Sequence, residues 1–140
     1  MAYCDKADLL EQLDERELVQ LTDDDGLGAV DQGVIDSAIA DAAGEIDGYL
    51  GGRYPVPLDP VPAVIRKLAV DIAVYNLYSR RLGPPEHREA RYRNAIRFLE
   101  KVAAGRIGLG ASDPDPVPCS QAPRFNAPGR IFSRQTLKDC

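Results

Sequence analysis

The sequence predicts an all-α fold, a small bundle of about four helices followed by an extended, proline-rich C-terminal arm. Two observations carry this. Apolar residues recur every three or four positions through residues 32–50, 61–82 and 86–104, the spacing that lines one face of a helix. Of the 11 prolines, all but Pro62, at the very start of the second segment, lie between and beyond those segments, where they favour extended backbone and oppose any regular ladder. The division expected is a helical domain over residues 1–105 and an arm over residues 106–140.

The elements follow in order. Residues from 5 or 6 to about 13 and from 15 to about 21 read as a short opening helical stretch, interrupted or continued near Asp14. A loop, TDDDGLGAVD, leads to a helix over residues 32–50 whose inward face is Ile35, Ala38, Ile39, Ala42, Ile46, Tyr49 and Leu50. Asp36, Asp41, Glu45 and Asp47 take its wet side. Ala40, Gly44 and Gly48 form an i, i+4 line of small residues, the pattern expected where another backbone approaches closely. GGRYPVPLDPVP ends that helix as a rigid connector, with two glycines and four prolines in twelve residues. The helix predicted over 61–82 is apolar on more than one side, which implies burial on more than one face. Asp71 lies within that apolar arc, with Lys67 one turn earlier as its expected partner. Gly83-Pro84-Pro85 breaks the chain, and a last helix over 86–104 turns Tyr92, Ala95, Ile96, Leu99, Val102 and Ala103 inward. Arg88, Arg91, Arg93, Arg97 and Lys101 are expected on its outside, either as a solvated face or as a contact surface for an acidic neighbour or a phosphate. Beyond residue 105, prolines 114, 116, 118, 123 and 128 precede RIFSRQTL, whose apolar-polar alternation predicts one short strand.

Composition narrows the class. The 140 residues suit one domain with a modest core, and 44% apolar content is ordinary for a water-soluble chain. No run approaches 18 apolar residues, and MAYCDKADLL lacks a basic start with an apolar signal segment, so a cytoplasmic origin with no membrane partner is expected. Cys4, Cys119 and Cys140 show no CxxC spacing and read as free thiols; with His87 as the lone histidine, a zinc site is short of ligands. The net charge of −5 conceals two opposed halves: residues 1–50 hold 14 acidic and 2 basic residues, residues 51–140 hold 8 acidic and 15 basic. A basic half alone would suggest nucleic acid, but an equally acidic half on the same small chain opposes non-specific adhesion to phosphate. Head-to-tail association of like subunits would use both halves, and so would neutralisation within one fold.

Three chemistries bear on the acidic loop, the last helix and the chain as a whole. A calcium loop needs oxygen ligands at alternate positions, a glycine at the sixth and a bidentate Glu at the twelfth. Counted from Asp23, Asp25 is third, Gly28 sixth and Asp31 ninth, but Leu27 and Val34 occupy the fifth and twelfth places. Asp23, Asp25 and Asp31 are therefore weak metal candidates; the simpler reading is an acidic turn whose Asp31 caps the next helix. A DNA-binding helical protein using the arginines of the last helix is the second rival. No glycine-rich phosphate loop, nucleophile–histidine arrangement or metal cluster supports an enzyme, and no cofactor is expected.

The order of segments resembles a known family. AYCDKADLLEQL, ELVQLTDDDGLGAVD, EIDGYLGGRYPVPL, VPAVIRKLAVDIAVYNLY, RYRNAIRFLEKVAAGRIGLG and the terminal RIFSRQTL, taken together over essentially the whole chain, resemble the small neck proteins of Mu-like phages and prophages. That family is similar to the head-tail connector, or adaptor, proteins of long-tailed phages. The resemblance implies a non-enzymatic subunit of a ring of about twelve copies, located in the virion neck and assembled in the host cytoplasm. The ring would sit beneath the portal of the DNA-filled head and offer a surface to stopper or tail-terminator proteins, with non-specific contact to DNA in the channel. Opposed charge halves suit such a ring, where one patch of each subunit meets a different patch of the next. The expected subunit interface is Arg88, Arg91, Arg93, Arg97 and Lys101 against Asp36, Asp41 and Glu45. Arg130, Ile131, Phe132, Arg134 and Leu137 are expected to dock the arm on a neighbouring component.

Overall fold

In the computed structural model, which describes residues 2–81 and 83–110, five helices follow one another: α1 (Lys6–Leu10), α2 (Glu15–Thr22), α3 (Gln32–Leu50), α4 (Ala63–Ser79) and α5 (Glu86–Ala103). The described residues contain no strand. The all-α class is as predicted, and the difference from about four helices lies in the opening stretch. There a capping box, Asp5 Oδ1 accepting from Asp8 N (3.0 Å) and Asp8 Oδ2 from Asp5 N (2.9 Å), starts a helix of only five residues. Gln12 N and Leu13 N both bond back to Leu9 O, which tightens the chain before Asp14 restarts it in extended conformation. Residues 111–140 lie outside the described residues, and with them the expected strand and the docking residues Arg130, Ile131, Phe132, Arg134 and Leu137.

The core is built by α4 lying against both α3 and α5. Ten α4 residues are buried, and Ile65, Ile72, Ala73, Val74 and Leu77 are fully so. A helix apolar all round is stable only when neighbours cover it on several sides; here α3 contributes Ile35, Ala42, Ile46 and Leu50, and α5 contributes Ala95, Leu99 and Val102. Leu9, Leu18 and Leu21 from the two short helices complete the cluster. At full burial each Leu or Ile side chain contributes about 1.5–3 kcal/mol relative to exposure. The inward residues read from α3 agree with this core. Its line of small residues does not: Ala40, Gly44 and Gly48 are exposed, and a Cβ at Gly44 or Gly48 would meet nothing within 4 Å. The small α3 residues that are buried are Ala38, Ala42 and Ala43.

Each helix boundary has a local cause. Thr22 Oγ1 donates to Leu18 O (2.8 Å) and accepts from Asp31 N (3.2 Å), so one buried hydroxyl joins the end of α2 to the start of α3. Asp31 caps α3 as predicted, its Oδ1 accepting from Gly33 N (2.9 Å) and Val34 N (3.3 Å). At the end of α3 a Cβ on Gly51 would lie 2.9 Å from Asp47 O, too close for any side chain. Pro62 and Pro85 precede α4 and α5 in extended conformation, where the absence of an N–H costs nothing. α5 closes in a Schellman motif: Gly105, at φ 76°, donates to Val102 O (3.0 Å), and Arg106 N donates to Lys101 O (2.9 Å).

Residues 51–62 do more than connect. Tyr54 and Leu58 are buried in the core, and Arg53 crosses to the far end of α5, donating to Val102 O (2.9 Å) and Ile107 O (3.2 Å). The Tyr3 hydroxyl donates to the Asp47 carboxylate and accepts from Leu58 N (3.0 Å), pinning the N-terminus, α3 and this segment together. Burial and the Asp47 bond push the Tyr3 pKa to about 12. Ile107 and Leu109 pack against the core, so the chain stays with the bundle for several residues past the expected boundary at 105.

Candidate interaction surfaces

The acidic loop is held by cations from the end of α4. Asp23 folds over its own turn, Oδ1 accepting from Leu27 N (3.0 Å) and Oδ2 from Gly28 N (2.8 Å), with Gly26 and Gly28 at φ 72° and 70°. Those bonds hold the Asp23 carboxyl below its ordinary value. Asp24 receives both terminal nitrogens of Arg80, at 3.2 and 2.6 Å, and lies 3.5 Å from Arg81; the Arg80 bond depresses its pKa as well. Arg80 also donates to Leu21 O, and Arg81 to Gln20 O and Asp23 O, which satisfies carbonyls left open where α2 ends. Asp31 is occupied as the α3 cap. Asp25 is exposed, and the described residues contain no group of three or more His, Cys, Asp or Glu side chains placed to share a metal ion. Of the three weak candidates, Asp23 and Asp31 therefore serve the turn and the helix. Calorimetric titration with calcium should give a dissociation constant no tighter than about 1 mM, since Leu27 and Val34 supply no oxygen. Micromolar binding abolished by Asp23→Ala would contradict this.

The five cations of α5 divide into two groups. Arg88 is buried rather than outside: Nη2 donates to Gln12 O (3.0 Å) and Nη1 to Gln12 Oε1 (3.2 Å), which ties α5 to the turn after α1. Two arginines converge on Gln12, because Arg91 Nη1 donates to the same Oε1 (2.7 Å). Arg91 also lies 3.7 Å from Asp71 Oδ1, so the partner of that buried carboxylate is Arg91 across the helix pair, in place of Lys67. The sequence offered no signal for this; Gln12 is one polar residue in a turn. The remaining three face solvent. Arg93 pairs with Glu89 one turn earlier (2.6 Å), while the Arg97 and Lys101 side chains bond to no other described residue. Arg93, Arg97 and Lys101 sit four residues apart and form one stripe along α5.

On α3, Asp36 and Asp41 are exposed, and the Asp36 carboxylate accepts from Gln32 Nε2 (2.8 Å) in its own helix. Glu45 is half-buried and accepts from the Tyr92 hydroxyl (2.8 Å), whose ring stacks on Tyr75 with centroids 4.0 Å apart. Burial and Glu45 raise the Tyr92 pKa to about 12, so this bond persists across the physiological range. Asp36 and Asp41 thus remain exposed, and Glu45 joins α3 to α5 within the chain. Cys4 is a free, buried thiol pushed up to about 11 by burial and by Asp8 and Asp5; Cys119 and Cys140 lie outside the described residues.

Asp71 is 7% exposed, and its Oδ1, like Arg88 Nε, has no hydrogen-bond partner among the described residues. Burial raises the Asp71 pKa despite the opposing pull of Arg91, Lys67 and Arg88. A carboxyl raised on folding favours the native state where it is protonated, and that contribution is lost as pH rises through its folded pKa. Asp71→Asn should therefore melt above the native chain at pH 7, with the difference closing as pH falls toward the ordinary carboxylate value of about 3.9. A variant less stable at pH 7, with a gap that widens on neutralisation, would contradict this sign.

The family model described as "Bacteriophage Mu, Gp36" matches residues 3–127. The Mu-like prophage FluMu protein gp36 of Haemophilus influenzae is 40% identical over 111 residues, which cover 79% of this chain and 77% of that protein. Gene product J of Escherichia phage Mu is 36% identical over 83 residues, 59% of this chain and 57% of its own length. The matched segment runs from Tyr3, which pins the N-terminus, through the whole bundle. The chain belongs to the bacteriophage Mu Gp36 family of Mu-like phage proteins.

Proposed function

We propose that the chain is a structural, non-enzymatic head-tail connector subunit, which forms a ring beneath the portal and joins the DNA-filled head to the tail. Membership of a Mu-like phage family supports the setting. The observation that carries the reading is the unspent charge on two separate helices. Arg97 and Lys101 on α5 lack partners among the described residues, and Asp36 and Asp41 stay exposed on α3, although Arg80, Arg88, Arg91 and Arg93 all find partners in the same chain. Neutralisation within the fold is therefore incomplete. A subunit with a basic stripe and an acidic helix closes a ring by setting one against the other, the heterologous contact that a rotational assembly repeats. Portal above and stopper or tail-terminator below would take the two remaining sides of the ring.

The test is genetic and structural. A phage or prophage deleted for this chain should yield filled heads and free tails that do not join, and adding the purified chain to the lysate should restore complete particles. Joined, infectious particles in its absence would overturn the proposal.

A further inference from the structure

Between α1 and α3, along α3 from Gln32 to Asp47, runs an open cleft of about 910 Å³. Its floor is apolar, made by Cys4, Ile39 and Ala43, and Leu10 stands at its lip with 41% of its surface exposed. The floor stays open because the exposed side of α3 there carries Ala40 and Gly44, too small to fill it. The rim is acidic: Asp5, Asp36 and Asp47 against a single cation, Lys6. Such a cleft fits a short apolar segment flanked by positive charge.

The chain contains one. Residues 130–134 read Arg-Ile-Phe-Ser-Arg, two large apolar residues between two guanidinium groups. The exposed large apolar residues of the bundle do not match: Leu10 precedes Glu11, Leu27 lies between glycines, and Val56 between prolines. Residue 130 is twenty positions beyond Gly110, a span of up to about 65–70 Å when extended. That reach passes well beyond the subunit's own bundle. We infer that the α1–α3 cleft is the receptor for residues 130–134 of a second copy, with Ile131 and Phe132 on the apolar floor and Arg130 and Arg134 on the Asp5 and Asp47 side of the rim. This rests on the ring reading above and adds a second contact to it: an arm exchanged between neighbours, separate from the α5 stripe. Apolar anchors would give the contact its hold, and the paired charges its direction and register.

The full-length chain carrying the photoreactive residue benzoylphenylalanine in place of Phe132 is prepared in isotopically light and heavy forms, mixed and irradiated, and the crosslinked peptides are mapped by mass spectrometry. The inference expects crosslinks to residues 4–10 and 39–44, with light–heavy pairs present. Gly44→Leu, whose Cβ meets nothing within the fold, should fill the cleft and reduce those crosslinks at least tenfold with helicity unchanged, and so should Arg130→Glu with Arg134→Glu. Crosslinks of one isotope only mean that the chain's own arm fills the cleft, and they overturn exchange between copies. Crosslinks elsewhere, or none, overturn the receptor assignment. Electron microscopy of the same mixture with portal separates the two readings: rings whose crosslinks fall elsewhere sink the cleft alone, and portal left bare sinks the ring.

Discussion

Reversing Arg93, Arg97 and Lys101 to glutamate is expected to abolish ring formation on the portal while leaving the monomer folded. The three side chains form the solvent-facing stripe of α5, and two of them have no partner in the described chain. Their cost to the fold is small. Losing the Arg93–Glu89 pair removes about 0.3–0.5 kcal/mol, and a negative charge at residue 101 opposes the helix dipole by about 0.3–1 kcal/mol. At an interface each lost exposed pair is worth about 0.2–1 kcal/mol, but reversal converts attraction into repulsion at three positions, and every subunit of a closed ring carries the change. Binding to portal should weaken at least tenfold, and it should regain strength with added salt as the repulsion is screened. Arg91 belongs outside this set. It holds Gln12 and faces Asp71, so reversing it would damage the bundle and confuse the result. Normal ring assembly by the triple variant, with helicity intact, would remove α5 from the interface.

Arg88→Ala is expected to destabilise the chain by about 3 kcal/mol, the lower part of the range for breaking a buried charge arrangement by removing one partner. Truncation leaves Gln12 O without its donor, takes a compensating charge away from Asp71, and unfastens the turn after α1 from α5. Urea unfolding followed by circular dichroism measures it directly. Arg88→Lys should recover part of the loss, since an ammonium restores charge without the planar fork that reaches both oxygens of Gln12. A cost below about 1 kcal/mol for the alanine variant would show that water takes over Gln12 and that Arg88 is a surface residue in effect.

How much of this was legible in the sequence differs by the range of the interaction. The α3 boundaries, the α5 start and most of the core came from apolar period and from capping residues, which act within four positions along the chain. Asp31 as a cap, and the incomplete calcium loop, were local readings of the same kind. What failed was long-range and polar. Arg88 looked like one more cation on a wet face because its partner, Gln12, lies 76 positions away. The small-residue line of α3 suggested close packing, yet the bundle buries Ala38, Ala42 and Ala43 and leaves Ala40, Gly44 and Gly48 outside. Which face of a helix meets a neighbour depends on where every other helix goes, and the period alone marks a face without saying what covers it. The Arg80 and Arg81 clamp had a faint signal, two cations at a helix end facing an aspartate-rich loop in sequence composition, but the pairing needs α2 and the end of α4 to lie side by side. The family resemblance lies in the order of segments along the chain, a property that neither period nor charge contains.

The central claim is that this subunit closes a ring at the portal by setting the α5 stripe of one copy against the acidic α3 of the next. Electron microscopy of the purified chain mixed with its portal tests it most directly. The account predicts a closed ring on the portal, about twelve-fold, in which Arg97 and Lys101 of each subunit face Asp36 and Asp41 of its neighbour. Portal left bare, or a ring in which the α5 stripe points away from every neighbouring subunit, would contradict it.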